Sequence, residues 1–171
     1  MTLPPLVHFC YSLLGWCKAL VNKEHYNAHR ILYVPFSSQK LAICSSKGIT
    51  IWNSESTASP STRLWNIERT IKGNYSTISF SPDGRLLGLG SIYSSYISLY
   101  DLRKDNLYTL PGIHSTIKDL LWSSTGRNLI AVSTEAELRI YETESYTNTK
   151  WTGLGSTAGV LLYLICSLCL C

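Results

Sequence analysis

Through the middle of the chain, apolar and polar positions alternate in short runs broken by turn residues. Thr77–Ser81 carries an aromatic at Phe80, Arg85–Ser91 is largely Leu and Gly, and Tyr96–Tyr100 mixes aromatic and aliphatic side chains. Runs of this length, rich in β-branched and aromatic residues and punctuated by turns, predict strands joined as hairpins. Pro82-Asp83-Gly84 predicts the first turn, because Pro presets φ, Asp bonds its own backbone and Gly tolerates φ > 0. Asp101 stands directly behind Tyr100 and ends the stretch.

The pattern recurs. Ile117–Glu142 repeats it, with Phe80 and Trp122, Gly84 and Gly126, and Arg85 and Arg127 each 42 positions apart, and Tyr100 and Tyr141 41 apart. A weaker copy at Ile31–Asn53 ends in Trp52-Asn53, with Ser37-Ser38-Gln39-Lys40 as its turn and no Gly after it. Trp52 lies 48 positions before Tyr100, so this connection carries extra residues, placed in the loop Ser54–Thr62. Arg63–Ile67 and Leu107–Leu110 are read as outer strands of their units. A period of roughly 40–45 residues with four strands per unit is the mark of a β-propeller blade. The expected fold is therefore all-β: an incomplete WD-repeat propeller of about three blades plus the start of a fourth. Residues 1–30 form a poorly defined N-terminal segment, 31–160 the partial propeller, and 161–171 an apolar tail outside the repeat.

Composition changes this picture little. Of 171 residues 45% are apolar and 15% charged, enough for a sizeable core, and eleven Tyr and five Trp suit strands. The net charge of +4 is spread along the chain, with no cluster of Lys and Arg of the kind that binds nucleic acid. The six Cys, at 10, 17, 44, 166, 169 and 171, lack the spacing of a disulfide scaffold and point to a reducing compartment. Propellers close with roughly 4–8 blades. A partial ring is expected to be a truncated product or to be completed by another chain, and the isolated chain is expected to aggregate through its last unit.

Several local patterns carry less. Met1–Val21 is apolar but has no Lys or Arg before Lys18, so a short buried element is preferred over a signal peptide. His25 and His29 are four apart without further ligands, and Glu24 precedes rather than follows the first, so no metal is assigned. Asn74-Tyr75-Ser76 matches a glycosylation sequon that matters only in a secreted chain. His114 falls where many WD repeats place the His of a buried network, but the other members are missing and a surface position is preferred. Gly153-Leu154-Gly155-Ser156 lacks the Lys and context of a phosphate loop and reads as a turn. Val160–Cys171, VLLYLICSLCLC, is shorter than the roughly 20 apolar residues of a membrane span. It is read as sequence that has left the repeat frame, with lipid or membrane attachment through Cys166, Cys169 or Cys171 as the alternative.

From about Leu41 to Val160 the chain resembles the aladin family of WD-repeat nucleoporins. The resemblance rests on Leu41-Ala42-Ile43-Cys44 through Ile49-Thr50-Ile51-Trp52, the Ser/Thr/Pro-rich insertion after it, Phe80–Leu87, Ile97–Asp101, and above all Leu110-Pro111 through Thr116–Ser123. Ala136–Glu142 and Lys150-Trp151 continue in register. The resemblance implies a non-enzymatic scaffold of the nuclear pore complex at the nuclear envelope, supporting nucleocytoplasmic protein transport. Its implied partners are a membrane nucleoporin or other pore subunits, which makes any membrane association indirect. It implies no catalytic residue, cofactor, metal, nucleic acid or small-molecule substrate.

The residues expected to build the repeat are Trp52, Phe80, Asp83, Gly84, Tyr100, Asp101, Trp122, Gly126 and Tyr141. The charged rim residues Arg103, Lys104, Asp105, Glu135 and Glu137 are the candidates for partner binding, since propellers bind through loops. The alternative function is a general WD-repeat adaptor of a ubiquitin ligase or signalling complex, in the cytoplasm. An enzyme would need converging carboxylates, His or a nucleophile with its base, and the two clearest units hold one His between them.

Overall fold

The computed structural model describes residues 27–37, 39–55, 64–135 and 137–151, with the backbone alone described at Glu55 and Leu64. Twelve strands are present and, among the described residues, no helix. In chain order they are β1 (Arg30–Tyr33), β2 (Lys40–Ser45), β3 (Gly48–Glu55), β4 (Leu64–Lys72), β5 (Thr77–Phe80), β6 (Leu86–Ser91), β7 (Ser94–Asp101), β8 (Asn106–Leu110), β9 (Ile117–Trp122), β10 (Asn128–Ser133), β11 (Leu138–Glu142) and β12 (Asn148–Lys150). They form three four-stranded antiparallel meanders, β1–β4, β5–β8 and β9–β12. This all-β architecture is compatible with a β-propeller-like fold. The chain divides into two compact units, Met1–Ser76 with the first sheet and Thr77–Cys171 with the other two.

The three sheets share one register. Leu41 pairs with Trp52, Leu87 with Tyr100 and Leu129 with Tyr141, so the three aromatics hold equivalent places on the third strand of each sheet. All three are buried. Phe80 and Trp122 are equivalent in the same way, pairing with Leu87 and Leu129.

The first turns of the second and third sheets agree bond for bond. Gly84 N donates to Ser81 O at 2.8 Å and Gly126 N to Ser123 O at 2.9 Å. Ser81 Oγ accepts from Leu86 N at 2.8 Å, and Ser123 Oγ from Asn128 N at 3.0 Å. Gly84 and Gly126 then take φ of 69° and 72°, in the left-handed region that favours glycine. Thr125 stands where the second sheet has Asp83. Its hydroxyl replaces the carboxylate as acceptor, from Arg127 N at 3.4 Å against Arg85 N at 3.0 Å.

In the first sheet the turn differs from expectation. It is Val34-Pro35-Phe36-Ser37, closed by Ser37 N donating to Val34 O at 3.0 Å, rather than Ser37–Lys40. Pro35 supplies the preset φ at the second position, and Val34 rather than a serine occupies the first, buried position. Phe36 takes φ 58°, a backbone region costly for a bulky residue, while its ring is 96% exposed. The loop Ser54–Thr62 also begins later than expected. Strand β3 continues through Ser54 and Glu55, opposite Trp65 and Leu64, and Ser54 is buried. Alternation of Thr50, Trp52 and Ser54 with Ile49, Ile51 and Asn53 sustains the strand where composition reads as loop. The rest of that loop lies outside the described residues.

Core packing follows from the strand faces. In the first unit Leu41, Ile43 and Trp52 form a cluster with Ala28, Ile31 and Trp65 against it. In the second unit Ile97, Leu99, Leu110 and Ile113 from the second sheet and its outgoing loop meet Ile117, Leu120, Leu129, Ala131 and Tyr141 of the third. Gly90 allows close approach here, since a Cβ at that position would lie 2.6 Å from Ile117 Cγ2.

Candidate functional site

The second unit presents two sets of turns at opposite ends of its sheets. Strands of a meander alternate direction, so the first and third turns of a sheet share one end and the second turn lies at the other. At one end lie Pro82–Arg85, Leu102–Asp105, the turn around Gly126, and Thr143–Tyr146, tied together by Leu102 N donating to Arg85 O at 3.0 Å and Thr143 N to Arg127 O at 2.9 Å. At the other lie Ile92-Tyr93, Thr134-Glu135 and the connection Pro111–Thr116, held by Ile113 N to Ser95 O at 3.1 Å and Thr134 N to Thr116 O at 2.9 Å.

The charged candidates therefore do not form one surface. Arg103, Lys104 and Asp105 sit exposed at the first end, and Glu135 and Glu137 near the second. Two of the five are engaged within the fold. Glu137 accepts from Arg139 Nε at 2.8 Å and lies 3.4 Å from Lys150 Nζ, and its side chain is half-buried. The Arg139 guanidinium, and then Lys150, hold its carboxyl below the usual range, against burial. Asp105 takes φ 54° and accepts from the Tyr100 hydroxyl.

Asp101 orders the first end. Only 1% exposed, it accepts from Arg85 Nε and Nη2 at 3.2 and 2.9 Å, and from Arg103 N and Lys104 N at 2.9 and 3.0 Å. Burial pushes its carboxyl up. Arg85 and the two backbone N–H groups outweigh this and hold it below the ordinary value. Asp83 follows the same logic, with burial opposed by the Ser81 hydroxyl and Arg85 N–H.

The second end carries what charge-based reading missed. Tyr93 is 72% exposed, Tyr96 60% and Ile92 43%, all in or beside the β6–β7 hairpin. In the equivalent hairpins, residues 92 and 93 are matched by Ser46-Lys47 and Thr134-Glu135. The register identifies these positions, because Ser45, Ser91 and Ser133 each accept from the N–H two residues on, at 3.4, 3.1 and 3.2 Å. Each of these serines is buried. An apolar pair at a hairpin tip whose counterparts are polar was the available signal. Exposed aromatics gathered with an aliphatic residue are the chemistry of an interaction anchor. His114, at the same end, is exposed.

Two contacts between the second and third sheets also escaped sequence reading. Thr77 Oγ1 donates to Asp119 Oδ1 at 2.7 Å, and Trp122 Nε1 to Ser79 O at 3.1 Å. The Tyr141 hydroxyl donates to Pro111 O at 2.7 Å, and burial raises its pKa.

Among the described residues no three His, Cys, Asp or Glu side chains are grouped to hold a metal ion, and no helix is long and apolar enough to cross a membrane. His25 lies outside the described residues. His29 Nδ1 lies 3.1 Å from Asn27 O, and its Nε2 lies 3.5 Å from Cys44 Sγ. Burial pushes the Cys44 thiol up to about 12, which leaves it protonated at neutral pH and a poor nucleophile. Met1–Val21 with Cys10 and Cys17, the Gly153–Ser156 stretch, and Val160–Cys171 with Cys166, Cys169 and Cys171 lie outside the described residues.

No protein-family model matches the chain, and no curated protein matches it significantly.

Proposed function

We propose that the chain is part of a WD-repeat β-propeller, each four-stranded sheet being one blade, and that it acts as a non-enzymatic protein-binding scaffold. The observation that carries this reading is the exposed Ile92, Tyr93 and Tyr96 group, set on a sheet whose turns repeat with a period of about 42 residues. The resemblance to the aladin family supplies the location: the nuclear pore complex, with a membrane nucleoporin or another pore subunit as partner and protein transport as the process served. The aromatic end is the docking face in this reading, and Arg103 and Lys104 at the other end are free to bias the approach of an acidic partner.

Fractionation of cells expressing the tagged chain tests it. Co-fractionation with nuclear envelopes is expected. Tyr93→Ser/Tyr96→Ser should move the chain to the soluble fraction while leaving its circular dichroism unchanged. A chain that fractionates away from the envelope, in a soluble complex lost in the same variant, would establish the adaptor reading in place of the nucleoporin one. A double variant that distributes as the parent does would remove the aromatic end as the docking face.

A further inference from the structure

Each sheet ends in an outer strand, β4, β8 or β12, whose far side pairs with no other strand among the described residues. An open strand edge is a template for another chain, and proteins blunt it with charges, bulges or very short strands. Two of the three edges are blunted in this way. Strand β4 carries Glu68, Arg69 and Lys72, with a bulge where Ile51 pairs with Arg69 and Trp52 with Ile67. Strand β12 has three residues, one of them Lys150. Strand β8 reads NLYTL, holds no charged side chain, and pairs with β7 without a register shift. Asn106, Leu107, Tyr108 and Thr109 are all exposed.

The hydrogen-bond pattern identifies the groups that β8 turns outward. Leu102 N donates to Arg85 O, one step beyond the pairing of Asp101 with Leu86. Bonded pairs alternate along an antiparallel ladder, so Tyr100 and Ser98 bond to β6, and Asp101 and Leu99 bond to β8 at Asn106 and Tyr108. The backbone groups of Leu107 and Thr109 therefore face away from the sheet. Leu107 N is met there by the side chain of Asn106, whose Oδ1 accepts from it at 2.9 Å in an exposed contact.

We propose that this edge pairs with β8 of a second copy of the chain, antiparallel about a two-fold axis through Tyr108. In that register Leu107 lies opposite the second copy's Thr109, and the two exchange N–H and C=O bonds in both directions. The second copy's Thr109 C=O replaces the Asn106 side chain as acceptor for Leu107 N. Tyr108 lies opposite itself in a non-hydrogen-bonded pair, where side chains come closest and aromatic pairs are favourable. Charge selects this direction. Arg103, Lys104 and Asp105 precede β8, and the uncharged Pro111-Gly112-Ile113 follows it. Antiparallel pairing sets each charged turn against the other copy's uncharged end, whereas parallel pairing would set Arg103 and Lys104 against themselves. Pro111, the next residue turned outward, has no N–H and stops the ladder there. The contact is self-complementary and uses up the one unblunted edge among the described strands, so it closes at two copies. Five residues a side fall well short of the roughly 1,200 Å² of a stable interface, so the dimer forms only at raised concentration. The inference is independent of the proposed function, and it places self-association in the second sheet rather than in the last unit.

Light scattering on the full chain under reducing conditions, over roughly a hundredfold range of concentration, should show the mass rise from one copy towards two. Thr109→Pro removes one outward N–H and leaves the bonds to β7 in place, as edge strands tolerate. It should weaken the dimer at least tenfold with circular dichroism unchanged. Under mild oxidation Tyr108→Cys should link to itself between copies, since opposed Cα atoms of a non-hydrogen-bonded pair lie about 4.5 Å apart, within disulfide reach. Peptide mass identifies the linked position. Leu107→Cys, which faces Thr109 rather than itself, should form no such link. A single-copy mass throughout overturns the proposal. So does association that Thr109→Pro leaves intact or that runs past two copies, either of which would assign it to another surface. Equal self-linking by Leu107→Cys overturns the two-fold register. The Tyr108→Cys link needs no proline in the strand, so misfolding of Thr109→Pro leaves the test intact.

Discussion

At the scale of single residues, two glycines separate backbone strain from crowding. Gly126 has φ 72°, and a Cβ there would meet Pro82 Cδ at an ordinary 3.5 Å. Gly126→Ala is therefore expected to cost only the left-handed penalty, about 1 kcal/mol. Gly90 is the reverse case. Its Cβ would lie 2.6 Å from Ile117 Cγ2 and 2.8 Å from Thr77 Cγ2, side chains fully buried between two sheets. Gly90→Ala should cost about 1–3 kcal/mol through overpacking. Urea denaturation of both variants checks the ordering, and equal costs would mean that the two sheets yield easily at Gly90. The glycines that turn the chain were legible because Asp-Gly follows Pro at 82–84 and recurs as Thr-Gly at 125–126. Gly90 was not legible, since its need arises from β9, which approaches from 27 or more positions away in the sequence.

At the scale of the element, the turn after β7 is organised by one buried carboxylate. Asp101 holds two backbone N–H groups and the Arg85 guanidinium, and this lowers its pKa in the folded chain. A lowered folded value stabilises the fold at every pH above the ordinary carboxylate range, and that contribution is lost as pH falls through the folded value. Melting temperature should therefore decline below about pH 4. Glu137 and Asp83, also lowered, add to the same acid limb. Asp101→Asn should flatten part of that limb while lowering stability at pH 7. Asp101→Ala, which leaves Arg103 N and Lys104 N without their acceptor, should cost about 1–3 kcal/mol. An acid limb unchanged in Asp101→Asn would show that the other carboxylates carry it. The strands themselves were read well: Arg85–Ser91 is found as Leu86–Ser91, and Tyr96–Tyr100 extends to Ser94–Asp101. The misreadings fell where a local rule competed with register. Pro35 drew the first turn upstream of its serines, and pairing opposite β4 carried β3 into a Ser-rich segment.

At the scale of the whole molecule, local pattern could yield the repeat but not which repeat units hold each other, because those bonds join residues about 42 positions apart. The same limit hid the aromatic end: charge marks a loop in sequence, whereas the exposure of Tyr93 and Tyr96 depends on how the hairpin projects. Their exposure predicts that Tyr93→Ser/Tyr96→Ser leaves stability within about 0.5 kcal/mol, which a thermal melt checks alongside the fractionation. The contacts between the second and third sheets predict the opposite behaviour. Thr77 is buried, and its hydroxyl donates to Asp119 Oδ1 at 2.7 Å, a side-chain hydrogen bond joining the first strands of the two sheets. A double-mutant cycle on Thr77→Val and Asp119→Ala should give a coupling of about 1 kcal/mol. Its loss should raise the unfolding rate of the Thr77–Cys171 unit, since the bond ties sheets rather than strands. A coupling near zero would mean that the apolar cluster around Leu120, Leu129 and Tyr141 alone joins the sheets. In that case Leu129→Ala, expected to cost about 2–5 kcal/mol, would separate them, leaving each to melt on its own.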